Sequence, residues 1–351
     1  MCYHKTQLIE TINMSQKTTS PTKLDIAFKN RFRGLQTAYT HGKGESSDFR
    51  LTDEDPEVAT QRISGETMRF KAAGGQVLTA TLFNQGQKNL TLIHPGWLGD
   101  GEHANTELQV NLLAQYYDPN TTFAYINMPG KRGSEALPDE VMKEMKRTGS
   151  FEAYGEEIAT AFDVLRKDFE TTNGVGWSTG ARAMFGVLAA RHNESGMDRV
   201  VAIDPPGSRK LGLLGIIYAF GLREGMNAGR YVRDQQIIDA MKTGAPKSSA
   251  DSAATWQAMY GFPLAMSRAG LEGDLLKATA GLDDSHSIAV VSPELSALNM
   301  PADVAEIMRL VSLKTDARLI HYIIDQQSHT GIMDQNAPLF IRLVTDLLQD
   351  K

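Results

Sequence analysis

The sequence predicts an α/β protein with a mostly parallel central sheet, helices on both faces and an inserted helical cap. From about residue 62 onward, short apolar strands alternate with helical patterns. Polar residues follow several of the predicted strands directly, and the alternation stops between residues 207 and 284. Strands that alternate with helices favour a parallel sheet, because each connecting helix packs back onto a sheet face.

Local patterns give the individual elements. Two strands at 66–72 and 76–83 flank the turn Ala73-Gly74-Gly75, since glycine accepts the backbone angles of tight turns. Apolar residues recur at helical spacing over a long segment between residues 151 and 169. The other predicted strands are 89–93, 122–127, 199–203, 287–291 and 317–324, and the last predicted helix is 337–348.

We expect three regions in the chain. Residues 1–60 are rich in Ser, Thr, Lys and Asp, which predicts an N-terminal arm that is partly disordered or peripheral, with a short helix around 24–35. Residues 61–206 and 285–351 form the predicted core. Residues 207–284 are helical in pattern and rich in Met, Leu, Gly and Tyr, so we interpret them as the cap.

Composition excludes several functional classes. The 351 residues carry a net charge of −6 and lack a dense Lys/Arg tract, which disfavours nucleic-acid binding. One cysteine, no phosphate-binding loop and no close His/Cys set predict neither metal nor organic cofactor. The longest apolar run, 211–222, is shorter than the about 20 residues that span a bilayer. We therefore expect a cytoplasmic monomer or homodimer without a transmembrane segment.

The most informative motif is Gly176-Trp177-Ser178-Thr179-Gly180, which an apolar, Ala-rich helical run follows. A serine on a sharp turn between strand and helix needs small flanking residues, because the turn crowds the backbone. The helix N-terminus beside such a serine stabilises negative charge. The motif predicts that Ser178 is a nucleophile.

A serine hydroxyl needs a base and a group that orients the base. His329 lies in a polar loop after the last predicted strand and is our candidate base. Two carboxylates remain as candidates for the orienting acid. Glu294 follows the penultimate strand and gives the chain order Ser, acid, His, whereas the alternative, Asp204, follows the strand after Ser178.

Donors to a developing oxyanion complete the predicted site. The backbone N–H of Thr179 follows the nucleophile and is the first candidate. The second is the N–H of Trp97, in the loop His94-Pro95-Gly96-Trp97. Gly96 lets the backbone approach a substrate, and we expect His94, Gly96 and Trp177 around the pocket. His94 is expected to hold the loop by hydrogen bonding.

Residues 62–350 resemble the α/β-hydrolase superfamily. The resemblance depends on the motifs 94–97, 129–134, 176–180 and 328–331, taken in this order. It implies a serine hydrolase, carboxylesterase-like, that cleaves an ester or related acyl bond through an acyl-enzyme. Ser178 would be the nucleophile, His329 the base, and Trp97 with Thr179 the oxyanion donors.

Other activities remain open within this resemblance. The same residues could serve an acyltransferase, a C–C hydrolase or a haloperoxidase-like enzyme, and a catalytically inactive binding or scaffold protein is the alternative from another class. The apolar cap favours a small-molecule substrate with an apolar acyl or alcohol group.

Overall fold

A ten-stranded sheet organises the part of the chain that the structure, a computed structural model, describes. The described residues are 32–51, 65–97, 110, 113–114, 118–191, 196–224, 260–329 and 337–349. The strands are β1 (Phe32–Thr40), β2 (Lys43–Leu51), β3 (Glu66–Lys71), β4 (Val77–Phe83), β5 (Asn89–His94), β6 (Thr121–Ile126), β7 (Thr171–Trp177), β8 (Arg199–Ile203), β9 (Ser287–Pro293) and β10 (Arg318–Ile324).

The strand order is β2-β1-β10-β9-β8-β7-β5-β6-β4-β3. Strands β6, β5, β7, β8, β9 and β10 form a parallel centre, and antiparallel pairs flank it on both sides. The carboxyl ends of the parallel strands therefore meet at one edge, where the residues that follow them can gather.

Residues 32–51 correct the prediction of a peripheral arm. They form the hairpin β1–β2, and β1 pairs with β10 along its length, for example Tyr39 with Leu319. The two turn residues, His41 and Gly42, have φ of 46° and 78°, the left-handed values of the tightest hairpin turns. The predicted helix around 24–35 is wrong at residues 32–35, which lie in β1; residues 24–31 lie outside the described residues.

Helices cover both faces of the sheet. They are α1 (Asp139–Thr148), α2 (Glu152–Leu165), α3 (Thr179–Arg191), α4 (Gly212–Tyr218), α5 (Phe262–Met266), α6 (Leu271–Thr279), α7 (Pro301–Val311) and α8 (Ala337–Gln349), and a π-helix, Ala219–Glu224, continues α4. None of the helices in the described ranges is long and apolar enough to cross a membrane.

Alternating side chains of the central strands divide the core in two. In β8, Val200 and Ala202 belong to the cluster with α2, α3, α6 and α7, whereas Val201 and Ile203 belong to the cluster with α8. This period of two is the pattern of a strand that is buried on both faces.

The segment between the neighbouring parallel strands β8 and β9 contains the predicted cap. Its described residues form helices, but one of them, α6, packs in the core and not in the cap. The predicted end of the cap at residue 284 is therefore too late in the chain. Leu271, Leu275 and Ala278 of α6 are buried in the main core cluster. A parallel pair needs a crossover that covers the sheet, and α6 supplies that cover beside α3. Residues 225–259 lie outside the described residues.

Candidate active site

Ser178 occupies the turn between β7 and α3. β7 ends at Trp177 and α3 begins at Thr179, so a single residue links strand and helix. Its φ of 54° lies in the left-handed region, which is strained for a residue with a side chain. The backbone N–H of Ser178 donates to the Ile203 carbonyl at 2.7 Å. Its buried Oγ has no hydrogen-bond partner among the residues that the structure describes.

Glycines on both sides make this turn sterically possible. A Cβ at Gly176 would lie 2.5 Å from the Ala181 backbone. A Cβ at Gly180 would lie 2.2 Å from the carbonyl oxygen of His94 and 2.3 Å from that of Pro95. The small residues of the motif therefore allow α3 to start against both its own strand and the loop after β5.

Asp204 and His329 form the central polar contact of the site. Nδ1 of His329 lies 2.7 Å from Oδ2 of Asp204, and both side chains are buried. Asp204 follows β8 directly, has a φ of 43°, and donates its backbone N–H to the Val291 carbonyl at 2.8 Å. Asp204 and Ser178 thus follow adjacent strands of the sheet and share the left-handed backbone region.

The loop after β9 holds the Asp204 carboxylate. The Ser296 hydroxyl donates to Oδ2 at 2.5 Å, and Asn299 Nδ2 donates to Oδ1 at 2.8 Å. Asn299 Nδ2 also donates to the Pro205 carbonyl at 2.8 Å. These donors fix the orientation of the carboxylate. We did not identify Ser296 or Asn299 from the sequence, because both reach Asp204 from about ninety residues away.

Glu294 does not occupy the position that the sequence analysis preferred for the acid. Its carboxylate is exposed and accepts a hydrogen bond from the backbone N–H of Gln326 at 2.8 Å. The hydrogen bond with His329 that was expected from Glu294 is made by Asp204 instead. The reason is geometric, since the loop after β9 turns over the end of β8 and supplies Ser296 and Asn299.

Trp177 stacks on His329. The ring centroids are 5.5 Å apart with an interplanar angle of 24°. Trp177 also packs against the core cluster that contains α8. The imidazole is therefore held by a carboxylate at Nδ1 and by an aromatic face, so Trp177 orients His329.

The loop after β5 lies beside the serine. A Cβ at Gly96 would lie 3.0 Å from the Trp177 ring and 3.4 Å from the Ser178 Cβ, so the backbone approaches the serine closely. Trp97 is partly buried in the following turn. Thr179 is the first residue of α3, and the first N–H groups of a helix have no intrahelical acceptor. Both candidate donors thus border the serine turn.

His94 holds this loop from below. Its Nδ1 lies 2.9 Å from the Pro95 carbonyl and its Nε2 lies 2.7 Å from the Tyr154 hydroxyl. A carbonyl only accepts, so Nδ1 carries the proton and Nε2 accepts from Tyr154. Burial lowers the pKa of His94 to about 4, which keeps the ring neutral. His94 is thus a structural residue of the loop.

Arg182 lies in α3, the serine helix that begins directly after Ser178, and joins this helix to the surrounding segments. The guanidinium is fully buried, and Nε donates to Asp274 Oδ2 at 2.7 Å. Its Nη1 donates to the Pro206 carbonyl at 2.7 Å, and Nη2 donates to the Gly149 carbonyl at 2.5 Å. Because Pro206 lies two residues after Asp204, the hydrogen bond from Nη1 joins α3 to the loop that carries the Asp204 carboxylate.

A small apolar cavity of about 40 Å³ lies beneath Trp177. Side chains from β5, β7, β8 and α8 line it, among them Ile93, Val175, Ile203 and Phe340. The described residues contain no group of three or more His, Cys, Asp or Glu side chains that could bind a metal ion.

Solved structures show which fold this is. An esterase from Pyrococcus furiosus is 10% identical, with a TM-score of 0.52, over 82% of this chain and 93% of that chain. A putative aryl esterase from Burkholderia cenocepacia is 15% identical, with a TM-score of 0.51, over 81% and 98%. A deformylase from Pseudomonas putida S16 is 18% identical, with a TM-score of 0.51, over 80% and 100%.

No protein-family model matches the sequence, and no curated protein matches it. The structural similarities confirm the predicted α/β-hydrolase fold.

Proposed function

We propose that this protein is a serine hydrolase that cleaves a carboxylic ester, with Ser178 as nucleophile, His329 as base and Asp204 as orienting acid. The observation that carries the proposal is the buried 2.7 Å contact between Asp204 and His329. Asp204 follows β8, which is the neighbour of the strand that ends at the strained Ser178 turn. Nucleophilic acyl transfer needs an acid that orients an imidazole near the serine, and Trp177, which stacks on the His329 ring, directly precedes Ser178.

The proposed reaction follows from the tautomer of His329. With Nδ1 donating to Asp204, the neutral imidazole carries its lone pair on Nε2, which accepts the Ser178 proton as Oγ attacks the ester carbonyl carbon. The bond to the alcohol oxygen breaks, and the leaving alkoxide takes the proton from Nε2. Water then attacks the acyl-enzyme with the same base, releases the acid and restores Ser178.

Two backbone groups are proposed to stabilise the tetrahedral oxyanion. The Thr179 N–H lies at the start of α3, where the helix dipole also favours negative charge. The Trp97 N–H belongs to the loop that approaches Ser178 at Gly96. Removal of one such donor typically costs about 10²–10³ in kcat in other enzymes.

The proposed substrate is a small ester with an apolar group. The support is the apolar cavity of about 40 Å³ bordered by Trp177, the residue before Ser178, because its lining suits a short hydrocarbon group better than a polar one. A series of p-nitrophenyl esters of increasing acyl length tests this proposal. A preference for short acyl chains supports it, and equal rates at all lengths contradict it.

Labelling with a fluorophosphonate probe tests the nucleophile. We expect the wild-type protein to be labelled and the Ser178→Ala variant to remain unlabelled, with strongly reduced labelling of His329→Ala. Labelling that persists in Ser178→Ala would remove the central assignment. Labelling without ester turnover would favour acyl transfer to another acceptor.

Matched carboxylate variants test the acid. We expect Asp204→Asn to lower kcat by about 10⁴, the loss that follows neutralisation of a triad acid elsewhere. Glu294→Gln should leave kcat nearly unchanged, because Glu294 contacts the Gln326 backbone and not the imidazole. The reverse order of effects would show that Glu294 is the acid.

A further inference from the structure

The helical segment Gly212–Glu224, which comprises α4 and the π-helix, exposes an unusual number of large apolar side chains. Leu214 is 81% exposed, Ile217 58%, Tyr218 56% and Leu222 54%. Leu213, Leu214, Ile217 and Tyr218 are spaced at i, i+1, i+4 and i+5, so they share one side of α4. The exposed side chains therefore form a continuous outer apolar stripe.

The orientation of this stripe is fixed by the rest of the segment. Ile216 and Ala219 are buried on the opposite side. The backbone N–H groups of Leu211 and Gly212 donate to the Ser267 carbonyl at 3.0 and 3.1 Å. The helix is thus anchored to the residues after α5, and its outer apolar stripe faces away from the other described residues.

Basic residues border the outer apolar stripe. Lys210 is exposed immediately before α4, and Arg223 is exposed in the last turn of the π-helix. Beside α5, a groove of about 250 Å³ is lined by Lys146, Lys210 and Arg268. The acidic residue of the segment, Glu224, points inward and accepts from the Ala297 backbone N–H at 3.1 Å. A protein with a net charge of −6 thus presents a local positive border.

We propose that the outer apolar stripe and its basic border dock onto an anionic lipid surface. Exposed leucine, isoleucine and tyrosine side chains would enter the boundary between headgroups and acyl chains, while Lys210, Arg223 and Arg268 contact the anionic headgroups. The segment is too short to span a bilayer, so the protein lies on the surface. Binding of this kind does not depend on the proposed hydrolysis.

Charge complementarity favours a lipid surface over a second copy of the chain. In a two-fold symmetric contact, each stripe would pack on its own counterpart. An antiparallel arrangement then brings Lys210 of one copy against Arg223 of the other. A parallel arrangement brings each basic residue against the same residue of the other copy. Both bring like charges together, whereas an anionic surface pairs all of them.

Vesicle flotation with the full chain tests the proposal. We expect binding to phosphatidylcholine vesicles that contain phosphatidylglycerol, weak binding to phosphatidylcholine alone, and a decrease as NaCl is raised. The Leu214→Ser/Ile217→Ser variant should lose about tenfold in partitioning, as should Lys210→Glu/Arg223→Glu. Leu313→Ser is the matched control, because Leu313 is 55% exposed after α7 and lies outside the stripe.

Three results would overturn the proposal. The first is no vesicle binding, or equal binding to both vesicle types. The second is a dimer in solution that Leu214→Ser/Ile217→Ser disrupts, which would assign the stripe to a second copy. The third is a clear fall in the thermal midpoint of that variant relative to Leu313→Ser, because it would show that the stripe is covered within the chain.

Discussion

Replacement of Asp274 by asparagine tests the buried ion pair that fixes the serine helix. Asp274 accepts from Arg182 Nε at 2.7 Å, from the Ser150 hydroxyl at 2.5 Å and from the Phe151 backbone N–H at 3.0 Å. Asp274→Asn keeps the shape of the side chain and removes its charge. The Arg182 guanidinium then stays buried without a counter-charge.

The expected loss in the free energy of unfolding follows from the burial of both Arg182 and Asp274. The side chains of Arg182 and Asp274 are 0% and 1% exposed, so solvent screens neither charge. Removal of one partner of such a pair lowers the free energy of unfolding by about 3–5 kcal/mol. The contacts of Arg182 with the carbonyls of Gly149 and Pro206 remain and place the expected loss toward the lower end.

Urea denaturation followed by circular dichroism measures the effect. Glu306→Gln is the matched control, because it neutralises one partner of the exposed pair between Glu306 and Arg309, and we expect no measurable change. Arg182→Met/Asp274→Leu should recover part of the loss, since it removes both buried charges together. A loss below about 1 kcal/mol for Asp274→Asn would refute the reasoning.

Three further predictions concern single residues. Burial lowers the pKa of His94 and of His321 from 6.5 to about 4. The unfolded chain therefore binds more protons below pH 6.5, and each histidine should remove up to about 3 kcal/mol of stability between pH 6.5 and 4. Thermal midpoints that stay constant over this window would contradict the prediction. Trp177→Leu should lower kcat by up to about tenfold, because stacking on His329 is lost, whereas Trp177→Phe should keep most of the rate. A change confined to KM would assign Trp177 to substrate binding alone. Gly180→Ala should reduce soluble yield and thermal midpoint, since its Cβ would lie 2.2 Å from a carbonyl oxygen. A midpoint equal to that of the wild-type protein would show that the turn can relax.

The parallel centre of the fold could be predicted because its strands are apolar on both faces and alternate with helical patterns. The hairpin β1–β2 could not, because composition dominated our interpretation of residues 1–60. β2 is almost entirely exposed, so it lacks the apolar alternation that indicates a strand. The pair His41-Gly42 was the available signal, since glycine suits a turn with positive φ.

Within the candidate site, local motifs predicted more than distant contacts did. The position of Ser178 between strand and helix follows from the adjacent glycines, and Asp204 was the weaker of the two candidates for the acid. The sequence order favoured Glu294, and nothing local shows that Ser296 and Asn299 bind the Asp204 carboxylate. Such contacts join residues that are distant in the chain, and one sequence does not reveal them.

The left-handed backbone at Ser178 restricts which side chains can replace it. Threonine also carries a hydroxyl, but its branched Cβ is poorly tolerated at positive φ. Cysteine is unbranched at Cβ and fits the same backbone. At this position a thiol is therefore easier to introduce than a secondary alcohol. The restriction comes from the backbone conformation and not from the reactivity of the side chain.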